Sequence, residues 1–121
     1  MKRSLELTPE LLRAYSRRGN FHSDPAAAAA LGYTHLVAQG MQVAGPAYGL
    51  LLDAWHEEFL AHGTIELKFV GPVVDGETVD ASVDIGVDRD ADVATITVEN
   101  RTAGRTAVVG RAQRHGAGGS A

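Results

Sequence analysis

Cysteine is absent from this 121-residue sequence, which excludes disulfide bonds and metal sites built from thiolates. Positive charge is also scarce, because 11 lysines and arginines stand against 15 aspartates and glutamates and leave a net charge of −4. Non-specific nucleic-acid binding depends on neutralising phosphates, so we expect no nucleic-acid partner. The N-terminal stretch holds Glu6 and Glu10 and lacks the apolar core of a signal peptide, which predicts a cytoplasmic protein.

Long apolar runs are missing as well, and the most informative uncharged stretch is Leu36–Leu52. Glycines and Pro46 interrupt it, whereas a membrane span needs about 20 predominantly apolar residues, so we expect no membrane association. The stretch instead predicts the buried first half of a helix that begins near Gly40, kinks at Pro46 and ends at His62. The next charged residue is Asp53, so we expect the second half of the helix to have one solvent-exposed face. The apolar positions at helical spacing are Ala44, Tyr48, Leu51 or Leu52, Trp55 and Phe59.

Two short helices are predicted before the long one. Thr8 is suited to cap a helix that has Pro9 in its first position. Asp24 and Pro25 repeat this pattern before five consecutive alanines. Asp24 is therefore interpreted as a helix cap rather than as a catalytic carboxylate.

Beyond Gly63 the hydrophobic period changes from helical to two, which is typical of strands. Short turns such as Asp75-Gly76 separate the strands, so we predict an antiparallel meander with one buried face. A long buried helix and such a sheet together predict an α+β fold in which the sheet wraps around the helix. We place this single domain at residues 1–115 and a disordered tail at 116–121. The alternating apolar positions are Ile65, Leu67, Phe69, Val79, Ala81, Val83, Ile85, Val87, Ala94, Ile96 and Val98, with a last strand from about Arg105 to Gln113.

Five short motifs occur in an order that resembles a known family. They are Tyr15-Ser16, Asn20-Phe21-His22-Ser23-Asp24, Ala38-Gln39-Gly40-Met41, Lys68-Phe69-Val70-Gly71-Pro72 and Gly76-Glu77-Thr78-Val79. Together they resemble the MaoC-like family of (R)-specific enoyl-thioester hydratases and dehydratases, over about residues 5–114. The resemblance implies a hot-dog fold, a homodimer or higher oligomer, an acyl-CoA or acyl-carrier-protein thioester as substrate, and neither a cofactor nor a metal.

The resemblance also points to two catalytic residues. Family members use an Asp and a His on the loop before the central helix to handle water and the C2 proton. The backbone N–H of a glycine at the helix start holds the thioester carbonyl. His22 matches the family's histidine, a residue type that can donate or accept a proton near neutral pH. Gly40 matches the glycine, at a helix end whose unpaired N–H groups favour developing negative charge.

The sequence departs from the family pattern where the catalytic Asp is expected. Arg17 or Arg18 occupies that position, depending on where one residue is deleted, and Asn20 is a candidate for the family's Asn. A guanidinium cannot act as a general base, so the two arginines either clamp a carboxylate or phosphate or are solvated residues after a helix. Gln39 stands where the family commonly has His, and it can hold water or a carbonyl but cannot shuttle protons. With Met41, these residues form the candidate substrate-binding set.

Three functional hypotheses follow from the sequence. The first is a hydratase or dehydratase of 2-enoyl or 3-hydroxyacyl thioesters, with His22 as the acid/base and the Gly40 N–H as the oxyanion donor. The second is a diverged hot-dog enzyme with other acyl-thioester chemistry, and the third is a non-catalytic subunit of a hot-dog heteromer. A different dehydratase arrangement, which pairs the loop His with an acid on the helix, is disfavoured because residues 45–49 hold no carboxylate and Asp53 lies further along.

Overall fold

The computed structural model of the chain describes residues 1–15, 25–30 and 36–114. Asp24 and the tail predicted at 116–121 lie outside these ranges. Apart from its first strand, the chain places helices before strands, as the change of hydrophobic period predicts. The elements in chain order are β1 (Lys2–Glu6), α1 (Pro9–Tyr15), α2 (Pro25–Ala30), α3 (Gly40–Val43), α4 (Gly45–His62), β2 (Gly63–Phe69), β3 (Thr78–Asp88), β4 (Ala91–Asn100) and β5 (Arg105–Arg114).

The five strands form one antiparallel sheet in the order β1-β3-β4-β5-β2. The predicted meander is confirmed for β3, β4 and β5, but the expected place of β2 is wrong, because β2 pairs with β5 at the far edge. The link from β2 to β3 cannot form a simple hairpin, since its residue Val74 makes a bridge to Val37 before α3. Strand β1 was not predicted. It is short and mostly exposed and carries no apolar alternation, as is common at a sheet edge.

Helix α4 lies against the sheet and contacts all five strands. Its face toward the sheet buries Leu51, Trp55 and Phe59, whereas Glu57 and Glu58 are exposed, so the predicted wet face of its second half is confirmed. Burial of a large apolar side chain contributes roughly 1.5–3 kcal/mol, so this one face is a main source of stability. The buried residues that the sheet contributes to the same core are Val79, Ala81, Val83, Ala94, Ile96, Val98, Ala107, Val108 and Ala112.

The apolar alternation of β3 does not stay buried along the whole strand. Val79, Ala81 and Val83 are fully buried, but Ile85 is 45% exposed and Val87 is 73% exposed. The expectation that Ile85 and Val87 are buried with the rest of the alternation is therefore wrong. The apolar alternation of the strand continues beyond the residues that pack against the core. The hydrophobic period alone does not show at which residue that packing ends.

The predicted kink near Pro46 is present as a break between α3 and α4. Ala44 lies between the two helices with φ −77° and ψ −11°, and Pro46 is in the first turn of α4, where its missing N–H costs nothing. The Thr8 cap is also confirmed, since its hydroxyl accepts the N–H of Leu11 at 3.2 Å. A second irregularity, at His56 with φ 53°, has no counterpart in the sequence pattern.

A candidate active site at the start of the central helix

The segment before α3 is held by a short backbone clip. Ala38 donates its N–H to the carbonyl of Val73 at 2.8 Å, and Asp75 donates to the carbonyl of Leu36 at 2.9 Å. These bonds join two connecting segments, one on each side of α4 and β2 in the chain. The clip therefore sets where α3 begins.

A buried side-chain network holds the segment of this clip that follows β2. The Glu77 carboxylate accepts the N–H of Val74 at 2.8 Å and the side-chain amide of Asn100 at 3.1 Å. Asn100 is fully buried, and its carbonyl oxygen accepts the N–H of Ala103 at 3.0 Å. Each polar atom of the Asn100 amide thus has a partner, as buried polar groups require. The network ties the turn after β4 to the clip that precedes α3.

Gly40 is the first residue of α3, so its N–H has no partner within the helix. The carbonyl of Gln39 accepts the N–H groups of Gln42 and Val43 at 3.0 and 3.1 Å, so helical bonding starts only after Gly40 and Met41. Among residues 1–15, 25–30 and 36–114, none accepts the N–H of Gly40 or of Met41. The N–H of Gly40 is thus available to an acceptor at a helix end that favours negative charge.

A cleft of about 360 Å³ opens beside Gly40. It lies within the size range of small-molecule sites. None of the described residues that line it has an ionisable side chain, so this part of the wall suits an uncharged acyl group better than an ion. The lining residues are Ala38, Gly40, Val43, Phe69, Val70, Gly71, Pro72, Val73 and Val108.

The predicted site residues fall into two groups. Gly40 lines the cleft, and Gln39 precedes it in extended conformation without capping the helix through its side chain. Met41 is 47% exposed and is not among the residues that line the cleft. The remaining candidates lie outside the described residues, and they are Arg17, Arg18, Asn20 and His22.

Phe69 and Gln42 belong to this region, although the sequence did not single them out. An ideal Cβ on Gly40 would lie 2.8 Å from Cε1 of the Phe69 ring, so the ring covers the Cα of Gly40. The alternation of β2 predicts a buried Phe69, but the residue is 48% exposed. Gln42 is 9% exposed and donates its amide N–H to the carbonyl of Leu11 at 2.9 Å, which ties α3 to α1. Its amide oxygen is buried without a partner among the described residues, a feature that sequence spacing could not reveal.

A second, larger cleft of about 600 Å³ lies along the last two turns of α4. Arg114 crosses it, 5.7 Å from the centre of the Trp55 ring, and is paired with Glu58 at 3.2 Å and with Asp92. The cation is thereby neutralised by two carboxylates. No sequence motif points to this cleft, and we place the candidate active site at Gly40. The lining residues of the second cleft are Leu52, Trp55, His56, Glu57, Glu58 and Arg114.

The acidic residues near α4 and β3 belong to surface ion pairs rather than to the Gly40 cleft. Asp53 accepts a hydrogen bond from Arg3 at 2.5 Å, in keeping with its interpretation as part of a solvated face. Hydrogen bonds from Arg101 and then from Ser4 lower the pKa of Asp80 to about 2. In the part of the chain that the structure describes, no three His, Asp or Glu side chains gather into a metal site, and no helix is long and apolar enough to cross a membrane.

An antiparallel five-stranded sheet packed on one long helix, with an apolar cleft where the helical segment begins, defines this chain as a hot-dog-fold protein. The MaoC-like domain model matches residues 2–108, and the chain belongs to this family.

Solved structures with the same fold extend over nearly the whole chain. The (R)-hydratase from A. caviae involved in PHA biosynthesis is 24% identical with a TM-score of 0.76, over 93% of this chain and 90% of that one. The ChsH1–ChsH2 complex from Mycobacterium tuberculosis is 16% identical with a TM-score of 0.74, over 93% and 91%. The C-terminally truncated HadBC complex, a (3R)-hydroxyacyl-ACP dehydratase from the same organism, is 23% identical with a TM-score of 0.66, over 92% and 89%. No curated protein matches the sequence.

Proposed function

We propose that this protein is a hydratase or dehydratase that acts on 2-enoyl or 3-hydroxyacyl thioesters of CoA or of an acyl carrier protein. The observation that carries the proposal is the Gly40 N–H, which has no acceptor among the described residues and lies beside an apolar cleft in a MaoC-like chain. The names of the related structures, an (R)-hydratase and a (3R)-hydroxyacyl-ACP dehydratase, agree with this reaction class.

The proposed reaction needs one oxyanion donor and one proton carrier. The thioester carbonyl accepts the Gly40 N–H, which stabilises the negative charge that develops when water adds to C3. His22 removes the proton of the attacking water, and a proton delivered to C2 completes the addition. In the reverse direction the same groups release water from the 3-hydroxyacyl thioester.

The remaining candidates bind rather than transfer protons. Gln39 and Asn20 can donate hydrogen bonds to water or to the substrate, while Arg17 and Arg18 can pair with the phosphates of CoA or of a carrier arm. Met41 contributes an exposed apolar side chain next to Gly40. This division follows from chemistry, because neither an amide nor a guanidinium serves as a base at neutral pH.

Hydration of unsaturated thioesters tests the proposal directly. Purified protein is incubated with crotonyl-CoA and with longer 2-enoyl-CoAs, and the loss of the conjugated double bond is followed by absorbance. We expect hydration of at least one substrate and a fall of about tenfold or more in kcat/KM for His22→Ala, since proton transfer by a positioned side chain contributes at least that much. His62→Ala, an exposed histidine at the end of α4, is the matched control and should retain full activity.

Absence of hydration with every substrate would contradict the proposal, and an active protein with an unaffected His22→Ala variant would contradict the role of His22. Activity that appears only when a homologous chain is added would favour a non-catalytic subunit, in keeping with the two-chain complexes among the related structures. Conversion of the thioester to a different product would favour the diverged-enzyme alternative.

We further propose that the protein forms a homodimer through the outer edge of β2. In the described part of the chain, β2 pairs with β5 alone and leaves its other edge open. Glu66 and Lys68 flank Leu67 on this edge, and both are exposed. If a second copy pairs antiparallel about a two-fold axis at Leu67, Glu66 of each copy faces Lys68 of the other, and two ion pairs form.

Charge reversal on this edge tests the dimer. Lys68→Glu should raise the dissociation constant about fivefold to thirtyfold, because both attractive pairs become repulsive. The double variant Glu66→Lys/Lys68→Glu restores opposite charges and should restore the dimer. Lys2→Glu, the same charge reversal on the opposite edge of the sheet, is the control. Sedimentation equilibrium measures each constant, and a dimer unchanged by Lys68→Glu would contradict this interface.

A further inference from the structure

Phe69 is the last residue of β2 and lies at the mouth of the Gly40 cleft. Its neighbour on β5, Val108, is fully buried, whereas Phe69 is 48% exposed. Three ring atoms lie 2.8–3.1 Å from the position of a Cβ on Gly40. The ring is therefore fixed by the glycine on one side and faces the open cleft on the other.

This position puts the ring beside any acyl group that binds Gly40. A carbonyl oxygen that accepts the Gly40 N–H lies about 2.9 Å from the nitrogen, and covalent geometry places the ring within about 5 Å of the same nitrogen. The acyl C2 atom is one bond from the carbonyl carbon. The ring is therefore within about 8 Å of the carbonyl oxygen, and a substituent on C2 that points toward the ring can reach it.

We propose that Phe69 is a specificity-determining residue that admits acyl thioesters unbranched at C2 and excludes those with a 2-methyl group. The inference rests on the proposed function, since it takes the Gly40 N–H as the carbonyl donor. The wall that Phe69 forms with the other described lining residues is apolar, which agrees with selection by shape, because an apolar wall discriminates through steric fit. A substrate with hydrogen at C2 fits beneath the ring, and one extra methyl group does not.

The experiment compares crotonyl-CoA with its 2-methyl analogue, tigloyl-CoA. The wild-type protein should prefer crotonyl-CoA, and Phe69→Ala should reduce the ratio of the two kcat/KM values about tenfold or more, which is the usual effect of one methyl group in an apolar pocket. Val109→Ala is the matched control. Val109 is adjacent to Val108 on β5, is 37% exposed and does not line the cleft, so the ratio should stay at the wild-type value.

The outcomes separate this inference from the proposed function. If the wild-type protein hydrates crotonyl-CoA and folded Phe69→Ala keeps the wild-type ratio, the specificity role of Phe69 is overturned while the reaction stands. If no variant hydrates either substrate, calorimetric titration with propionyl-CoA and with isobutyryl-CoA, which adds the 2-methyl group, measures the same selectivity by binding. Equal changes in both affinities on replacing Phe69 would then overturn it. Phe69→Leu, which keeps an apolar side chain, replaces Phe69→Ala if the latter does not fold.

Discussion

Replacing Gly40 with alanine is expected to lower kcat/KM for 2-enoyl thioesters about 100-fold while the protein remains folded. The new Cβ would lie 2.8 Å from the Phe69 ring, closer than side-chain carbons approach in proteins, so the ring or the start of α3 must shift. A displacement of about 1 Å at a reacting centre can cost about 100-fold in rate. Steady-state kinetics with crotonyl-CoA, together with a thermal unfolding curve, measures both parts of this expectation.

Gly45 provides a matched control for this substitution. It also begins a helix, five residues later, but a Cβ there meets no atom within 4 Å. Gly45→Ala should therefore leave kcat/KM unchanged, and stability should stay the same or rise slightly through the better helix propensity of alanine. If Gly40→Ala is as active as Gly45→Ala, catalysis does not require the absence of a Cβ at position 40, and the expected displacement is contradicted.

A double variant identifies the cause of the loss at Gly40. In Gly40→Ala/Phe69→Ala the ring that the new Cβ meets is gone, so steric displacement is relieved. Partial recovery of kcat/KM relative to Gly40→Ala would attribute the loss to the clash between these two residues. No recovery would attribute it to the methyl group itself, which then blocks the approach of the carbonyl to the N–H. Residues in contact are expected to behave non-additively in this way.

The hydrophobic periods predicted the central helix and the four longer strands because each of these elements buries one face. They did not predict β1, because a short, mostly exposed edge strand has no buried face and therefore no alternation of apolar residues. They also misplaced β2, because period identifies a strand but not its neighbours. Strand β2 pairs with β5, and the link after it makes a bridge from Val74 to Val37, 37 residues earlier in the chain.

The candidate site was only partly accessible from the sequence. Gly40 was predicted as a site residue from the ordered motifs, and it lines a cleft, while its role stays a prediction. Phe69 was expected in the core because it alternates with Leu67 and Ile65, yet it projects at the strand end where the core no longer covers it. For the same reason Ile85 is 45% exposed, although the alternation of β3 predicts that it is buried. Period reports which face a side chain is on, whereas exposure depends on what lies above that face, which is a property of the tertiary fold.

Asn100→Asp is expected to make stability fall steeply as pH rises, by about 2–3 kcal/mol between pH 4 and pH 7. The new carboxyl would lie about 3.1 Å from that of Glu77, in a fully buried position. Two carboxyls at this distance cannot both ionise easily, so the pair retains one proton and its upper pKa rises in the folded state. A rise of about two pKa units corresponds to about 3 kcal/mol.

The direction of this pH dependence follows from proton linkage. In the unfolded chain both carboxyls lose their protons near pH 4, whereas the folded variant holds one proton to higher pH. The folded state therefore binds more protons, and the free energy of unfolding decreases as pH rises from about 4 through the raised pKa. Asn100→Ala should instead lose about 1–3 kcal/mol at every pH, because it orphans the Ala103 N–H without adding charge.

Urea unfolding at several pH values distinguishes these cases, and Glu77→Gln/Asn100→Asp is the decisive control. It keeps one carboxyl and one amide at the same two positions, so the excess pH dependence should disappear even if some stability is lost. Persistence of the steep pH dependence of stability in the double variant would contradict the pairing of Asn100 with Glu77.

The same network links stability to the candidate site. Glu77 also accepts the N–H of Val74, and Val74 bridges to the segment before Gly40, so Asn100→Asp should lose thioester hydration over the same pH range in which it loses stability. The fold and the candidate site would then share one buried hydrogen-bond network.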